Sequence, residues 1–468
     1  MTAAVTSTVP AADGVWAPAR RRLTAGLVLT ITLVAFESLA IATVMPVVSD
    51  DLGGLGLYGW VFSGFFLGNL LGIVLAGEAA DRRGTRAPFL TGLVLFAIGL
   101  VVGGSAQSMP LLVAGRVAQG VGAGVIPAVA YASVGRAYPP ILRPRVFAVF
   151  STAWLVPGVV GPAAASAIER WSSWRVVFLA LLPLVAVAAL MTLPTLTQAA
   201  PVGAAPRPEG TRRRDAMVLV AGVALVLAGL GAHQISAAAA LVVVGATPAA
   251  WAFLRLVPTG TVALRRGMPA AVAVRGILTF AFFGADAYVS LAMTDARDQP
   301  TWVAGLALTG ATLAWTTGAW IQQRLVAERG PSWLVRRGFA LVGMGIAGLL
   351  AAVDSSVPVA PGVAAWTVAG LGMGLAYAPI SVTVLGSAAP GQEGSASASM
   401  QLTDMLGVSL GTGLGGVFVA LGDGRDWATS SSLSLAFAVT LAVAAGRGLA
   451  ARRLPRRLPQ QLPAAAAG

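Results

Sequence analysis

Four ionisable residues stand where the surrounding sequence offers them no water. Glu37, Arg116, Asp286 and Asp404 each interrupt a run of aliphatic, glycine and aromatic residues. A charge at the centre of an apolar span costs about 2.5–3.5 kcal/mol on insertion scales, so each needs a partner, a wet cavity or a proton. For Glu37, near the middle of its run, the chemistry on offer is reversible protonation; the alternative is a carboxylate permanently paired within a helix bundle. Asp286 is a second acid of the same kind, with snorkelling to an interface as its alternative. Arg116 keeps its proton at any working pH, so it can bias a carboxylate without titrating, or form half of a fixed ion pair. Asp404 stands beside Gln401 and Thr403, as a polar cavity wall or a residue solvated at a membrane interface would. Aromatics gather near these positions: Trp60, Phe62, Phe65 and Phe66 in one run, and Phe280, Phe282, Phe283 and Tyr288 in another. Phe65 and Phe283 are candidates to line a pocket for flat lipophilic cations, while Tyr58 and Trp60 read as interface-belt residues.

Only membrane helices can position such groups here. Hydrophobic residues make up 57% of the chain and charged residues 10%, and the mean hydropathy is +0.81; a soluble chain carries about a quarter charged residues. Cut at roughly 20 apolar residues per crossing, the sequence predicts helices over 23–48, 57–79, 88–107, 109–134, 146–168, 174–194, 216–232, 236–256, 269–294, 301–322, 335–353, 359–386, 396–421 and 429–447. The seventh and eighth, joined around His233, either both cross or form one re-entrant hairpin. The run from Leu23 to Val48 is too long for a cleavable signal and is expected to stay as the first helix. Lys is absent, and the arginines cluster at Arg20–Arg22, Arg82–Arg86, Arg136–Arg145, Arg207–Arg214, Arg265–Arg266, Arg324–Arg337 and Arg447–Arg457, all on one side. The opposite connections hold Asp50, Asp51, His233, Asp354 and few arginines. Both termini are therefore expected in the cytoplasm. The basic charge anchors the chain in lipid and is not a nucleic-acid surface.

Five stretches carry a family likeness. After the second helix comes Gly77-Glu78-Ala79-Ala80-Asp81-Arg82-Arg83-Gly84-Thr85-Arg86, in which glycines permit close approach and a tight turn and Asp81 can pair with arginines. The fourth helix contains Arg116-Val117-Ala118-Gln119-Gly120, and the fifth contains Gly158-Val159-Val160-Gly161-Pro162, followed by Ala165 and Ser166. The first resembles the loop motif G-x-L-A-D-R-x-G-R of the major facilitator superfamily. The second resembles its R-x-x-Q-G motif, and the third the G-P core of its antiporter motif, without the glycines that usually follow. Small residues there let the fifth helix approach a neighbour closely, and Pro162 loosens it. Glu37-Ser38-Leu39-Ala40-Ile41-Ala42-Thr43-Val44-Met45-Pro46 is similar to the acidic first-helix signature of drug:proton antiporters, with Glu for the usual Asp. Gly318 through Arg324, with Arg329-Gly330, resembles a decayed second copy of the loop motif.

The resemblance implies an all-α membrane protein of the major-facilitator fold: two six-helix bundles, 23–194 and 269–447, with two extra central helices in 216–256. A cytoplasmic tail (1–22), a cytoplasmic linker (195–215) and a second tail (448–468) complete the expected organisation. It favours the fourteen-spanner drug:proton antiporter branch in a bacterial inner membrane, acting by alternating access as a monomer. Glu37, Asp286 and Arg116 would couple protons; Gln119, Asp404, Phe65 and Phe283 would face the substrate. Gly77, Asp81, Arg82, Gly84 and Arg86 would switch conformation, and Gly158, Gly161 and Pro162 would pack helices. The expected partners are a small lipophilic substrate, protons and lipids. The alternatives are a dedicated exporter of an endogenous lipid, pigment or antibiotic, and a non-transporting sensor or scaffold. No Walker motif can exist without Lys, no H-E-x-x-H pair with one His, and no thiolate site without Cys, so neither ATP, a metal nor another cofactor is expected. An intramembrane hydrolase is not expected either.

Overall fold

A computed structural model of the chain describes residues 14–18, 20–138, 142–196, 210–232, 234–388 and 393–455. His233, most of the 195–215 linker and most of both tails lie outside the described residues. Among those described, all regular structure is helical. In chain order the helices are α1 (Arg21–Leu52), α2 (Tyr58–Arg83), α3 (Arg86–Gly104), α4 (Met109–Ala137), α5 (Arg143–Trp171), α6 (Trp174–Leu179), α7 (Leu181–Thr192), α8 (Gly210–Leu230) and α9 (Ile235–Leu256). They continue with α10 (Met268–Asp286), α11 (Val289–Thr294), α12 (Thr301–Arg329), α13 (Pro331–Ala352), α14 (Val359–Gly386), α15 (Glu393–Asp423) and α16 (Thr429–Gly448). Taking α6 with α7 and α10 with α11 as single interrupted segments, each expected span has one helical counterpart. Among the described residues, 11 of these are long and apolar enough to cross a membrane; α5, α8 and α12 are outside that set. The helices overrun the expected bounds because they continue past the apolar stretch into polar ends, α12 by a full turn and more to Arg329.

Two halves repeat one packing scheme. In the first, α2 and α3 pack on α4 and α1 packs on α5; in the second, α12 and α13 pack on α14 and α10 packs on α15. Backbone contacts set the register. A methyl on Gly120 would strike the Phe65 carbonyl and one on Gly124 the Asn69 carbonyl; Gly370 and Gly374 stand the same way against Ala311 and Trp315. Gly72 against Val121 matches Gly318 against Leu371. Residues of α4 and α14 thus correspond 250 positions apart, and those of α2 and α12 correspond 246 apart. Gly84 ends α2 and Gly330 ends α12, both with φ 74°, where only glycine is unstrained. In this register Gly318 corresponds to Gly72 and Gly330 to Gly84.

The two ends of the bundle differ in charge: the one carrying Gly84 and Gly330 is arginine-rich, and the one carrying the α1–α2 connection is arginine-poor. The halves meet toward the arginine-poor face. Gly59 and Gly416 touch backbone to backbone, so that a methyl on either would strike the other. Tyr58 is fully buried in this seam, its ring 5.5 Å from that of Tyr288 and its hydroxyl donating to the Ala287 carbonyl at 3.4 Å. It is therefore not the interface-belt residue expected from sequence; the glycines bring the halves too close for lipid to reach it. On the other flank α5 meets α12, with Gly158 against Thr312 and Pro162 against Gly305, while Gly161 faces Phe36 and Leu39 of α1. No packed interface joins α4 to α14 among the described residues.

The extra hairpin spans the α2–α15 seam. Leu219, Val223 and Leu227 of α8 and Ala249 and Ala252 of α9 bury a cluster with Leu67 and Leu70 of α2 and Leu402 of α15. Arg255 Nε donates to Asp215 Oδ2 at 2.9 Å, locking α9 to α8. At 21 and 22 residues and about 1.5 Å per residue, each helix is as long as a hydrocarbon core is thick. Of the two, α9 is among the helices both long and apolar enough to cross a membrane.

Candidate functional site

Glu37 lies midway along α1, and Arg116 lies seven residues into α4, about 10 Å from its arginine-poor end. Arg116 Nη1 donates to Glu37 Oε1 and, at 2.8 Å, to Gln119 Oε1. Its Nε donates to the Val61 carbonyl at 3.1 Å, and the guanidinium lies 4.1 Å over the Phe65 ring. Three-residue spacing stacks Arg116 and Gln119 on one helix face, and Val61 and Phe65 are one turn apart on α2. Glu37 and Arg116 are each 1% exposed and Gln119 is sealed. The cluster is not saturated. Glu37 Oε2 and Gln119 Nε2 have no hydrogen-bond partner among the described residues. Arginine is thus fixed by backbone, amide and ring, while it holds the acid through one oxygen.

Phe65, expected as a pocket wall, is buried beneath Arg116 and serves as its platform. Of the expected switch motif, Gly84 is buried at the α2 terminus and Arg86 is exposed at the start of α3. The side chains at positions 77, 78, 81 and 82 lie outside the described residues.

In the second half, α10 stops at Asp286, and the chain turns through Ala287 and Tyr288 before α11 resumes. Asp286 is half-buried and accepts a hydrogen bond from Trp366 Nε1 at 3.0 Å. Around it the rings run on: Phe282 stacks on Trp366 at 4.9 Å, Phe283 lies 6.2 Å from Trp315, and Trp315 meets Tyr377 edge-on at 5.3 Å. Phe283, Trp315 and Tyr377 are each half-buried.

A further ion pair was not legible as such in the sequence. Arg275, on α10, is 3% exposed and donates from Nε to Asp404 Oδ1 at 3.0 Å and from Nη2 to Oδ2 at 3.1 Å. The Tyr377 hydroxyl adds a third bond to Oδ2 at 2.9 Å. Arg275 Nη1 donates to the Tyr377 carbonyl at 2.9 Å and to Ser381 Oγ at 3.1 Å. Asp404, expected as a cavity or interface residue, is instead buried with both oxygens occupied, because a basic partner sits across from it on α10. The signal for Arg275 was present, an arginine inside the span 269–294; its partner, 129 residues away, was not.

Two repeated helical bundles joined by a tight seam, each with charges sealed inside, define a multi-pass membrane protein of the transporter type. The chain belongs to the Major Facilitator Superfamily, whose profile matches residues 27–412. It is 27% identical over 456 residues to a probable multidrug-efflux transporter of Mycobacterium tuberculosis, covering 91% of this chain and 94% of that protein. A multidrug resistance protein B homolog of the same organism is 26% identical over 457 residues, covering 93% of this chain and 83% of the relative. Among solved structures, a D-xylose-proton symporter superposes with a TM-score of 0.68 at 14% identity, over 93% of this chain and 98% of that one. At that identity the likeness is one of fold.

Proposed function

We propose that the protein is a proton-coupled exporter of lipophilic, cationic compounds, of the fourteen-spanner drug:proton antiporter branch, working by alternating access in a bacterial inner membrane. The arginine-rich face is cytoplasmic under the positive-inside rule, as are both termini. The names of the two mycobacterial relatives support drug efflux as the cargo class. The observation that carries proton coupling is the uneven pairing of Glu37: Arg116 engages Oε1, while among the described residues no hydrogen bond of good geometry reaches Oε2.

A proton arriving from the arginine-poor side adds at Oε2 without breaking the Arg116 contact. It turns a neutral ion pair into a net positive site, which repels a cationic substrate and favours its release. The conformation seen, closed at Tyr58–Tyr288 and Gly59–Gly416, is the one that receives substrate from the cytoplasm. Opening the outer side requires those contacts to part and the arginine-rich ends to close. The energy for the exchange is the difference in how each ligand binds the two states.

The test is Glu37→Gln in proteoliposomes carrying a pH-sensitive dye. Glutamine can accept from Arg116 but cannot exchange a proton, so drug-driven proton release is expected to vanish while the protein folds normally. Wild-type proton release from this variant would remove Glu37 from the mechanism.

A further inference from the structure

The two halves set the same pair of groups at the same station, with one exchange. In the register fixed by the glycine contacts, position 366 of α14 is the counterpart of position 116 of α4. In each half a donor on the fourth helix reaches an acid on the first: Arg116 to Glu37, and Trp366 to Asp286. Replacing guanidinium by indole keeps the hydrogen bond and removes the charge. The first-half pair is therefore neutral overall, and the second-half acid has no resident counter-charge among the described residues. The basic residue on its own helix, Arg275, is eleven positions away, about 16 Å along the axis, and is committed to Asp404.

The surroundings suit a visitor that brings the missing charge. Glu37 is sealed, whereas Asp286 is half-buried. One turn back along α10 stands the part-exposed ring of Phe283, 6.2 Å from the part-exposed ring of Trp315, which is edge-on to Phe282 at 5.6 Å. A desolvated cation against aromatic faces gains about 2 kcal/mol or more, and a carboxylate in reach adds a charge-assisted contact. We propose that Asp286, Phe283 and Trp315 bind the cationic centre of an aromatic-substituted monocation, with Trp366 as the positioning residue that holds the carboxylate toward it. The Ala287 carbonyl, one residue on, receives the Tyr58 hydroxyl from the opposite half, so an occupant here sits directly under the closed seam. The proposal rests on the export reading for the direction of movement only.

The experiment is equilibrium binding of tetraphenylphosphonium to the purified full-length protein in detergent, at one pH. Asp286→Asn is expected to weaken binding by about tenfold or more, and Trp366→Arg, which installs a resident cation as at position 116, by a similar factor. Trp366→Phe keeps the site's charge and is expected to weaken binding by only about threefold, the loss of one positioning bond. Thermal unfolding monitored by tryptophan fluorescence separates lost binding from lost folding, and if Asp286→Asn does not fold, Trp366→Arg carries the test alone. Wild-type affinity in folded Asp286→Asn or in folded Trp366→Arg overturns the site. Binding in detergent needs no proton gradient. Asp286-dependent binding without export in liposomes removes the export reading alone; export with Asp286-independent binding removes this site alone.

Discussion

Among the described residues two arginine–carboxylate pairs are buried on both sides, one per half, and they are built to opposite specifications. In Arg275–Asp404 every carboxylate oxygen is engaged, two guanidinium bonds and a tyrosine hydroxyl converge on it, and the remaining arginine nitrogen is taken by Tyr377 and Ser381. In Glu37–Arg116 the arginine is equally well held, but among the described residues no hydrogen bond of good geometry reaches the second carboxylate oxygen. Burial is similar in both. What separates them is spare hydrogen-bonding capacity on the acid. A saturated pair can only be broken, at the cost of an exposed charge; an unsaturated one can change protonation while its partner stays in place.

The contrast can be broken most forcefully at Arg275. Arg275→Ala leaves Asp404 buried without a counter-charge and is expected to cost about 3–5 kcal/mol, read as a large fall in thermal midpoint or loss of folded protein. Asp404→Asn should also lower the midpoint clearly, whereas Glu37→Gln should shift it little; a larger loss for Glu37→Gln would reverse the assignment of which pair is structural. Gly416→Ala inserts a methyl where Gly59 backbone lies, and overpacking of this kind costs about 1–3 kcal/mol. Because the strain falls on the closed seam, the variant should populate the outward-open form, read by increased labelling of a cysteine placed at Tyr58 in the otherwise cysteine-free chain. Tyr377→Phe removes one of Asp404's three bonds and should cost about 1 kcal/mol, which sharpens the count of what saturates that pair. The smallest effect is at Asp354 on the arginine-poor surface. The Ser356 backbone N–H, at 2.8 Å, holds its carboxyl below the usual carboxylate range. A lowered value means its contribution is present at neutral pH and fades as pH falls through that range, so Asp354→Asn should flatten a slight acid-side loss of stability.

Much of this molecule was readable from the chain because lipid imposes simple rules. Helix positions followed from apolar run length, and the faces from where arginine is tolerated. Glu37, Arg116 and Asp286 stood out because charge in such runs demands a reason. What could not be read was pairing across the bundle. Asp404 looked like a lone acid near an interface because Arg275, its partner, arrives from a helix far away in sequence. Tyr58 looked like a membrane-surface aromatic because the backbone contact that buries it joins Gly59 to Gly416. Trp366 gave no signal at all as a tryptophan; it became meaningful once the glycine contacts aligned the fourth helix of each half.

The leucine-lined seat of the α8–α9 hairpin on both α2 and α15 has a mechanical corollary. A plate fastened to two moving leaves has to slip on one of them whenever they swing. Apolar side-chain contacts tolerate sliding far better than hydrogen bonds, which demand fixed geometry, and the joint to α2 through Leu67 and Leu70 is of that greasy kind. The Ser399 hydroxyl bond to the Leu256 carbonyl, at 3.2 Å, pins the other edge to α15. If the halves swing as proposed, slip is expected at the α2 joint and retention at the α15 edge.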